Sequence, residues 1–368
     1  MLINGEHFRS IWLNDDGWRV NIIDQTTLPF NFSLVHLSTL QDAACAISDM
    51  NVRGAPLIGA TAAYGIALTM RNDAGDSAIQ IACDTLHATR PTAVNLPWAL
   101  GEMKQCLLPL PEKDREIAAY KKAAEICDAD VKTCKSIGEH GLKIVRKLWE
   151  EKGKPNPFHI LTHCNAGWLA CVDWGTALAP IYLAHDAGIP VHVWVDETRP
   201  RNQGAALTAF ELGAHGVPHT VIADNAGGHL MQIGQVHMVI VGSDRTTFTG
   251  DVCNKIGTYL KALAAHESHV PFYVALPSTT IDWSLANGSA IPIEMRNPVE
   301  LSHVRGQASD GSIQEVRLIP SESRAKNYAF DVTPAKYVSG LITERGICTA
   351  SEDGITSLFP ERKRKAAE

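Results

Sequence analysis

Apolar and polar positions along the chain follow two regimes, divided near residue 150. In the first, short apolar runs such as Val20-Asn21-Ile22-Ile23 precede stretches with helical spacing. The clearest helix is expected from about Asp114 to Glu151. There Ile117, Tyr120, Ile126, Cys134, Ile137 and Val145 recur at helical steps, with Gly138 and Gly141 as candidate break points. Gly54 to Met70 carries no charge, but Thr61, Tyr64 and two further glycines make it too short and too mixed for a bilayer span. A buried helix is expected instead. The polar, Pro-rich stretch Glu151-Lys152-Gly153-Lys154-Pro155-Asn156-Pro157 reads as a linker.

Beyond it, strand and helix alternate. Phe158–Thr162, Val191–Val195, Thr220–Ala223, Met238–Val241 and Pro271–Ala275 are apolar runs without polar alternation, as parallel strands buried on both faces require. Helices are expected between them over Ala166–Ala187, Gly204–His215, Asn225–Ile233 and Asn254–Ala265. This alternation predicts βαβ units in a doubly wound sheet.

In such a sheet, ligands bind beyond the carboxyl ends of the strands. Those ends carry His163-Cys164-Asn165, Asp196-Glu197-Thr198-Arg199, Asp224-Asn225 and Ser243-Asp244-Arg245, so reactive or charged side chains converge on one edge. Cys164 lies just before a helix expected from near Ala166. A helix N-terminus there would favour a thiolate; the alternative is a buried structural thiol. His163 points to the opposite face of the strand, which argues against a cysteine-hydrolase dyad. A zinc site built from His159, His163, Cys164 and Cys171 matches no familiar spacing, so no metal is expected.

Asp244 ends the apolar run Val239-Ile240-Val241-Gly242. Partial desolvation there raises a carboxyl pKa and suits it to general acid work; capping the next turn is the alternative. Arg53-Gly54-Ala55-Pro56 opens the uncharged helix, and Arg90 precedes a Pro-marked break; both arginines are candidate phosphate contacts. Gly250 to Lys255 leads into the helix expected from Asn254, which sets Asn254 and Lys255 at a candidate anion site. Neither GxGxxG after a strand nor GxxxxGK(S/T) occurs, so the expected ligand is a phosphorylated small molecule, not NAD or ATP.

Composition narrows the classes further. At 368 residues with 45% hydrophobic and 20% charged residues, the chain has the make-up of a globular protein of two domains. A net charge of -7 argues against a nucleic-acid partner, and the one basic run, Arg362-Lys363-Arg364-Lys365, falls in an expected polar tail over 351–368. Nine cysteines without a CxxC pair, and no basic-then-apolar leader, point to a reducing cytoplasm and no membrane association.

Several segments together carry a resemblance. They are Val52-Arg53-Gly54-Ala55-Pro56-Leu57-Ile58-Gly59, Ala88-Thr89-Arg90-Pro91-Thr92-Ala93-Val94-Asn95-Leu96 and Leu161-Thr162-His163-Cys164-Asn165-Ala166-Gly167. Val195-Asp196-Glu197-Thr198-Arg199-Pro200 through Gln203-Gly204-Ala205, Gly250 to Thr258, and Ala329-Phe330-Asp331-Val332-Thr333-Pro334-Ala335 complete them. The chain resembles the S-methyl-5-thioribose-1-phosphate isomerase family, which is similar in fold to the regulatory subunits of the translation initiation exchange factor. The likeness covers nearly the whole chain, in order. It implies an α/β protein with a smaller N-terminal α+β domain over 1–150 that contributes phosphate contacts. A Rossmann-like, doubly wound, mostly parallel catalytic domain over 151–350 would follow. It also implies catalytic Cys164 and Asp244, substrate contacts from Arg53, Gly54, Ala55, Arg90, Gln203, Asn254 and Lys255, a homodimer, and no cofactor.

The chemistry accounts for these residue types. Phosphate on the anomeric oxygen locks an aldose 1-phosphate as a ring, so an acid must protonate the ring oxygen; Asp244 is the candidate. Hydrogen must then move from C2 to C1, either as a proton taken by a Cys164 thiolate or as a direct hydride shift in a dry pocket. Arg, Lys and helix N-terminal groups would hold the phosphate. Two departures bear on the 5-substituent. Asp244 to Gly250 lacks the Ala-rich character associated with the family, and Trp168 and Trp174 set large rings beside the expected site. The rival readings are a 5-deoxyribose 1-phosphate isomerase and a ribose 1,5-bisphosphate isomerase. Further away stand a non-catalytic translation-factor subunit, which the joint presence of Cys164 and Asp244 argues against, and a thiol hydrolase.

Overall fold

The computed structural model describes residues 1–3, 5–90 and 94–362. Pro91, Thr92 and Ala93 of the Arg90 segment, and the basic run after Arg362, lie outside the described residues.

The N-terminal region sets helices on a small antiparallel sheet. Its strands β1 (Ile11–Leu13), β2 (Val20–Ile23) and β3 (Leu34–Leu37) pair in that order. Helices α1 (Leu40–Ser48), α2 (Ala55–Asn72), α3 (Asp76–Thr89), α4 (Asn95–Leu107) and α5 (Glu112–Glu151) follow. The uncharged stretch is α2, and it is buried almost all round because α1, α3, α4 and α5 pack about it. Helix α5 runs unbroken through Gly138 and Gly141. Those glycines permit the close crossing of α6 (Ala179–Asp186): a Cβ at Gly141 would stand 2.3 Å from Pro180 Cγ.

The larger region contains β4 (Phe158–Thr162), β5 (Val191–Asp196), β6 (His219–Ile222), β7 (Met238–Val241), β8 (Arg245–Thr247) and β9 (Val252–Lys255). β10 (Phe272–Ala275), β11 (Ile281–Asp282), β12 (Phe330–Thr333), β13 (Gly340–Thr343) and β14 (Gly346–Cys348) complete it. Among the described residues these strands make a seven-stranded sheet, ordered β14-β13-β10-β7-β4-β5-β6, and a four-stranded sheet, ordered β11-β8-β9-β12. The large sheet is parallel except at β14. Its inner strands are apolar on both faces because each face has its own core. Phe158, Ile160 and Val193 pack toward Ile137, Ile181 and Tyr182; Leu161, Val239 and Val241 pack into a core with Ala262 and Phe272. The fold is thus mixed α/β around a large, mostly parallel sheet.

Strand order reverses at β4, with β5 and β6 on one side and β7, β10 and β13 on the other. Outside the carboxyl ends of β4 and β7 lies the crevice that such a reversal creates. Cys164 and Asp244 stand just beyond those ends.

Three sequence expectations are corrected. The helix expected over Ala166–Ala187 survives only as α6; before it runs a loop with one tight turn, Trp168–Ala170. The backbone N–H groups of Trp168 and Leu169 donate to the buried Glu211 carboxylate, which takes the place of helical carbonyls. The helix expected from Asn254 begins at Thr258, because Val252–Lys255 pairs with β8 and β12 as a strand. The polar tail expected from 351 is folded as far as Arg362. Ser351 accepts from Gly354 N to cap a helix over Glu352–Leu358, which buries Ile355 and leads to the buried Phe359.

One packing detail carries a pH prediction. His237 stacks on Phe158 and on His159, and its Nδ1 accepts from His159 N at 2.8 Å, so the neutral ring is required. Burial pushes its pKa down to about 4. The unfolded chain takes up this proton near an ordinary histidine pKa of about 6.5, so the contribution is complete above that pH and is lost as pH falls toward 4. The melting temperature is expected to drop between pH 6.5 and 4, with a flatter profile for His237→Gln; differential scanning calorimetry across that range checks it.

Candidate active site

Helix α2 brings the first element of the site. Gly54, at its N-terminus, has φ of 92°, and a Cβ there would stand 2.3 Å from Ala170 O. Only glycine meets both conditions, and its neighbours Arg53 and Ala55 are thereby brought against the loop after β4. Arg53 donates from Nη1 to Asn165 Oδ1 (2.7 Å) and from Nη2 to Asn165 O (3.0 Å), and Nη2 lies 3.8 Å from Cys164 Sγ.

Cys164 sits in the left-handed region with φ of 68°. Its N–H donates to Thr198 Oγ1 and its carbonyl accepts from Thr208 Oγ1, each at 2.8 Å. Two backbone bonds therefore hold the strained residue in place. Among the described residues no helix begins at Ala166, so the expected depression of the thiol by a helix N-terminus is corrected. Burial pushes the Cys164 pKa up instead, while Arg53 and Lys255 oppose this and Asp244 adds to it. His163 turns away from the thiol, as its strand position requires: Nδ1 pairs with Asp196 Oδ2 and Nε2 with Ile256 O, both at 2.8 Å.

Asp244 follows β7, and its N–H donates to Cys253 O at 3.0 Å. The side chain borders the cavity and is half-buried by area, yet the protein around it is dense. Burial pushes its pKa up, against the pull of Lys255, Arg53 and Arg90. Strand alternation along β9 sorts its residues. Cys253 and Lys255 face the pocket with Asp244, while Asn254 borders a smaller adjoining cavity with Arg53, Gly54, Ala55 and Asn165. Lys255 is buried, with Nζ over the Phe330 ring at 4.9 Å, and burial pushes its pKa down.

Arg90 reaches the same pocket from the end of α3. Its Nη2 lies 3.7 Å from Glu294 Oε2; among the described residues, its buried Nε and Nη1 have no hydrogen-bond partner. Gln203 is likewise buried, with Oε1 unpaired among the described residues. Buried donors and acceptors left open in a pocket are places for a polar ligand.

The structure thus brings together Arg53, Gly54, Ala55, Arg90, Cys164, Gln203, Asp244 and Lys255 around one pocket, with Asn254 next door. Sequence reading missed Met50, Ile58, Ile291, Pro292 and Arg296, which also line it. Arg296 donates to Glu294 (2.9 Å) and Glu300 (2.8 Å), which hold it at the rim. It lies in the two-residue strand Met295–Arg296, which pairs with Asn327–Tyr328 in the long excursion between β11 and β12, where no local pattern separates it from a surface arginine. Trp168 and Trp174, expected beside the site, pack in the core behind it and do not line the pocket. A wider cleft of about 600 Å³ shares Met50, Arg53 and Gln203 with the pocket.

The set His159, His163, Cys164 and Cys171 is not assembled. Two other groupings, Asp130 with Cys134 and Cys171, and His163 with Asp196 and Asp224, bring ligand-type atoms together. In the second, the Lys261 ammonium lies 3.1 Å from Asp196 Oδ2 and also donates to the backbone carbonyl of Asp224, so a built-in cation already serves the Asp196 carboxylate. Among the described residues no helix is long and apolar enough to cross a membrane.

A doubly wound sheet that closes a carboxyl group, a thiol and several cations into one pocket at its switch point defines an enzyme of the α/β class. Residues 51–350 match the model of the initiation factor 2 subunit family. The chain is 63% identical to the methylthioribose-1-phosphate isomerase of Paramagnetospirillum magneticum, over 98% of this chain and all of that one. Against the enzyme of the same name from Escherichia coli it is 59% identical, over all of this chain and 99% of that one. Among solved structures, 5-methylthioribose 1-phosphate isomerase from Pyrococcus horikoshii superposes with a TM-score of 0.83 at 36% identity, covering 97% of each chain. The translation initiation factor eIF-2B subunit delta from A. fulgidus gives 0.80 at 35% identity, covering 96% of this chain and all of that one. The chain belongs to the initiation factor 2 subunit family and, within it, to the methylthioribose-1-phosphate isomerases, which are sugar-phosphate isomerases.

Proposed function

We propose that the chain converts 5-methylthioribose 1-phosphate to 5-methylthioribulose 1-phosphate, with Asp244 as the acid on the ring oxygen and Cys164 in hydrogen transfer. The observation that carries this reading is that Cys164 and Asp244 line one pocket together with Arg53 and Lys255. Asp244 protonates the ring oxygen as the C1–O bond breaks. In the proton route the Cys164 thiolate takes the C2 proton, leaving an enol phosphate, and returns it to C1 while the 2-hydroxyl proton passes to Asp244. In the hydride route hydrogen moves from C2 to C1 directly, and Asp244 recovers the same hydroxyl proton. Either way both residues end as they began. Arg53, Arg90, Gln203, Asn254, Lys255 and the N–H groups at Gly54 and Ala55 hold the phosphate and hydroxyls. A cytoplasmic homodimer that needs no cofactor belongs to the same proposal and rests on the family resemblance.

The presence of Met50, Ile58, Ile291 and Pro292 in the pocket lining supports an apolar 5-substituent over a second phosphate. Apolar lining residues suit a bare methyl group as well, so 5-deoxyribose 1-phosphate is the second reading. The expected result is a kcat/KM for the thioether sugar about tenfold or more above that for the deoxy sugar, since roughly 1.4 kcal/mol of added apolar burial suffices. NMR of the ketose product, with the two sugars run side by side, measures this. Equal or better turnover of the deoxy sugar moves the assignment to the second reading.

A further inference from the structure

A buried carboxylate behind the pocket wall governs how the wall is built. Glu211, on α7 (Ala209–His215), is 1% exposed and lines neither the pocket nor the smaller cavity. Among the described residues four donors reach it. Asn165 Nδ2 (2.8 Å) and Leu169 N (3.0 Å) donate to Oε1; Trp168 N (2.9 Å) and Tyr182 Oη (2.7 Å) donate to Oε2. Gly167 is shaped to this group, since a Cβ there would stand 1.8 Å from Oε2. A carboxylate only accepts, so it dictates which end of the Asn165 amide faces it. The nitrogen must turn inward, and Oδ1 is then presented to Arg53 Nη1 at 2.7 Å. The other terminal nitrogen of Arg53 lies 3.8 Å from Cys164 Sγ.

We propose that Glu211 is a positioning residue for the isomerisation: by orienting the Asn165 amide it aims Arg53 at the Cys164 sulfur and at the substrate phosphate. The proposal rests on the reading that Arg53 and Cys164 serve the reaction. Glu211→Gln keeps the shape but turns an NH2 group toward two of the four donors. In the folded variant KM is expected to rise about tenfold. The pH midpoint for iodoacetamide alkylation of Cys164, followed on its own peptide by mass spectrometry, is expected to rise by about one unit as the guanidinium loses its registration. A merely structural role lowers the melting temperature and leaves both readouts at their wild-type values. Glu211→Asp, which keeps the charge but withdraws it from Asn165, is expected to shift both in the same direction. Tyr182→Phe, which leaves the backbone bonds of the loop intact, gives a smaller shift of the same sign and carries the test if the carboxylate variants do not fold. Arg53→Lys in the otherwise native chain separates the two claims. If it retains full activity, the underlying reading fails. If it is impaired while the folded variants around Glu211 keep wild-type KM and alkylation profile, the Glu211 proposal alone is overturned.

Discussion

Asp244→Asn is expected to fold normally and to lose about a thousandfold in kcat, within the range of roughly 10²–10⁴ that a positioned acid contributes. The amide has nearly the same shape, and the backbone bond from residue 244 to Cys253 O does not involve the side chain. What disappears is the proton for the ring oxygen. Because Asn cannot ionise among Arg53, Arg90 and Lys255 as Asp244 does at higher pH, KM for an anionic sugar is expected to stay level or fall. A drop in kcat without a rise in KM marks an interaction made in the transition state. The pH dependence follows with a definite sign. Burial raises the Asp244 pKa, so the acid form persists to higher pH than for an ordinary aspartate; kcat/KM falls as pH rises through that value. Steady-state kinetics by NMR, with circular dichroism as the check on folding, tests both. A variant that keeps near-native kcat would remove Asp244 from the chemistry.

Cys164→Ser is the second large effect, with an expected loss of about a hundredfold or more in kcat. A serine hydroxyl does not ionise in the range where Arg53 and Lys255 can help a thiol do so. The loop is expected to survive, since the bonds to Thr198 and Thr208 use the backbone of residue 164 and not its sulfur. Burial raises the thiol pKa, and the two cations oppose this, so the thiolate is a minority species in the empty pocket. Turnover in D2O tests the proton route. Deuterium at C1 of the ketose identifies proton transfer through a residue-164 thiol that exchanges with solvent; an unlabelled C1 is the result of a direct shift, in which the sulfur shapes a dry pocket, and equally of a thiol that returns the substrate's own hydrogen. Retention of wild-type kcat by the serine variant would dismiss both roles.

Much of the site was legible because its signals are local. The apolar runs that became β4, β5 and β7 owe their composition to burial on both faces, and that burial is what makes a parallel sheet readable along the chain. Their carboxyl ends then marked Cys164 and Asp244 from sequence position alone. Gly54 and Pro56 likewise announced a helix N-terminus, because a left-handed turn and a helix start need those residue types. The errors have a common cause as well. Residues 166–178 have the composition of a helix but are held as a loop by Glu211, far along the chain, and Val252–Lys255 is a strand only because β8 and β12 pair with it.

The sequence by itself determined the alternation of strand and helix, the sheet edge at which the candidate site lies, and the residue types proposed as acid, thiol and phosphate contacts. Only the tertiary structure decided that Arg296, Met50 and Ile291 complete the pocket, and that burial raises the Cys164 pKa where a helix N-terminus would have lowered it. It alone showed that Glu211 stands behind the Asn165–Arg53 contact. Periodicity and composition report on neighbours a few residues away, whereas pocket walls, desolvation and buried hydrogen-bond relays are set by residues far apart in sequence that packing brings together.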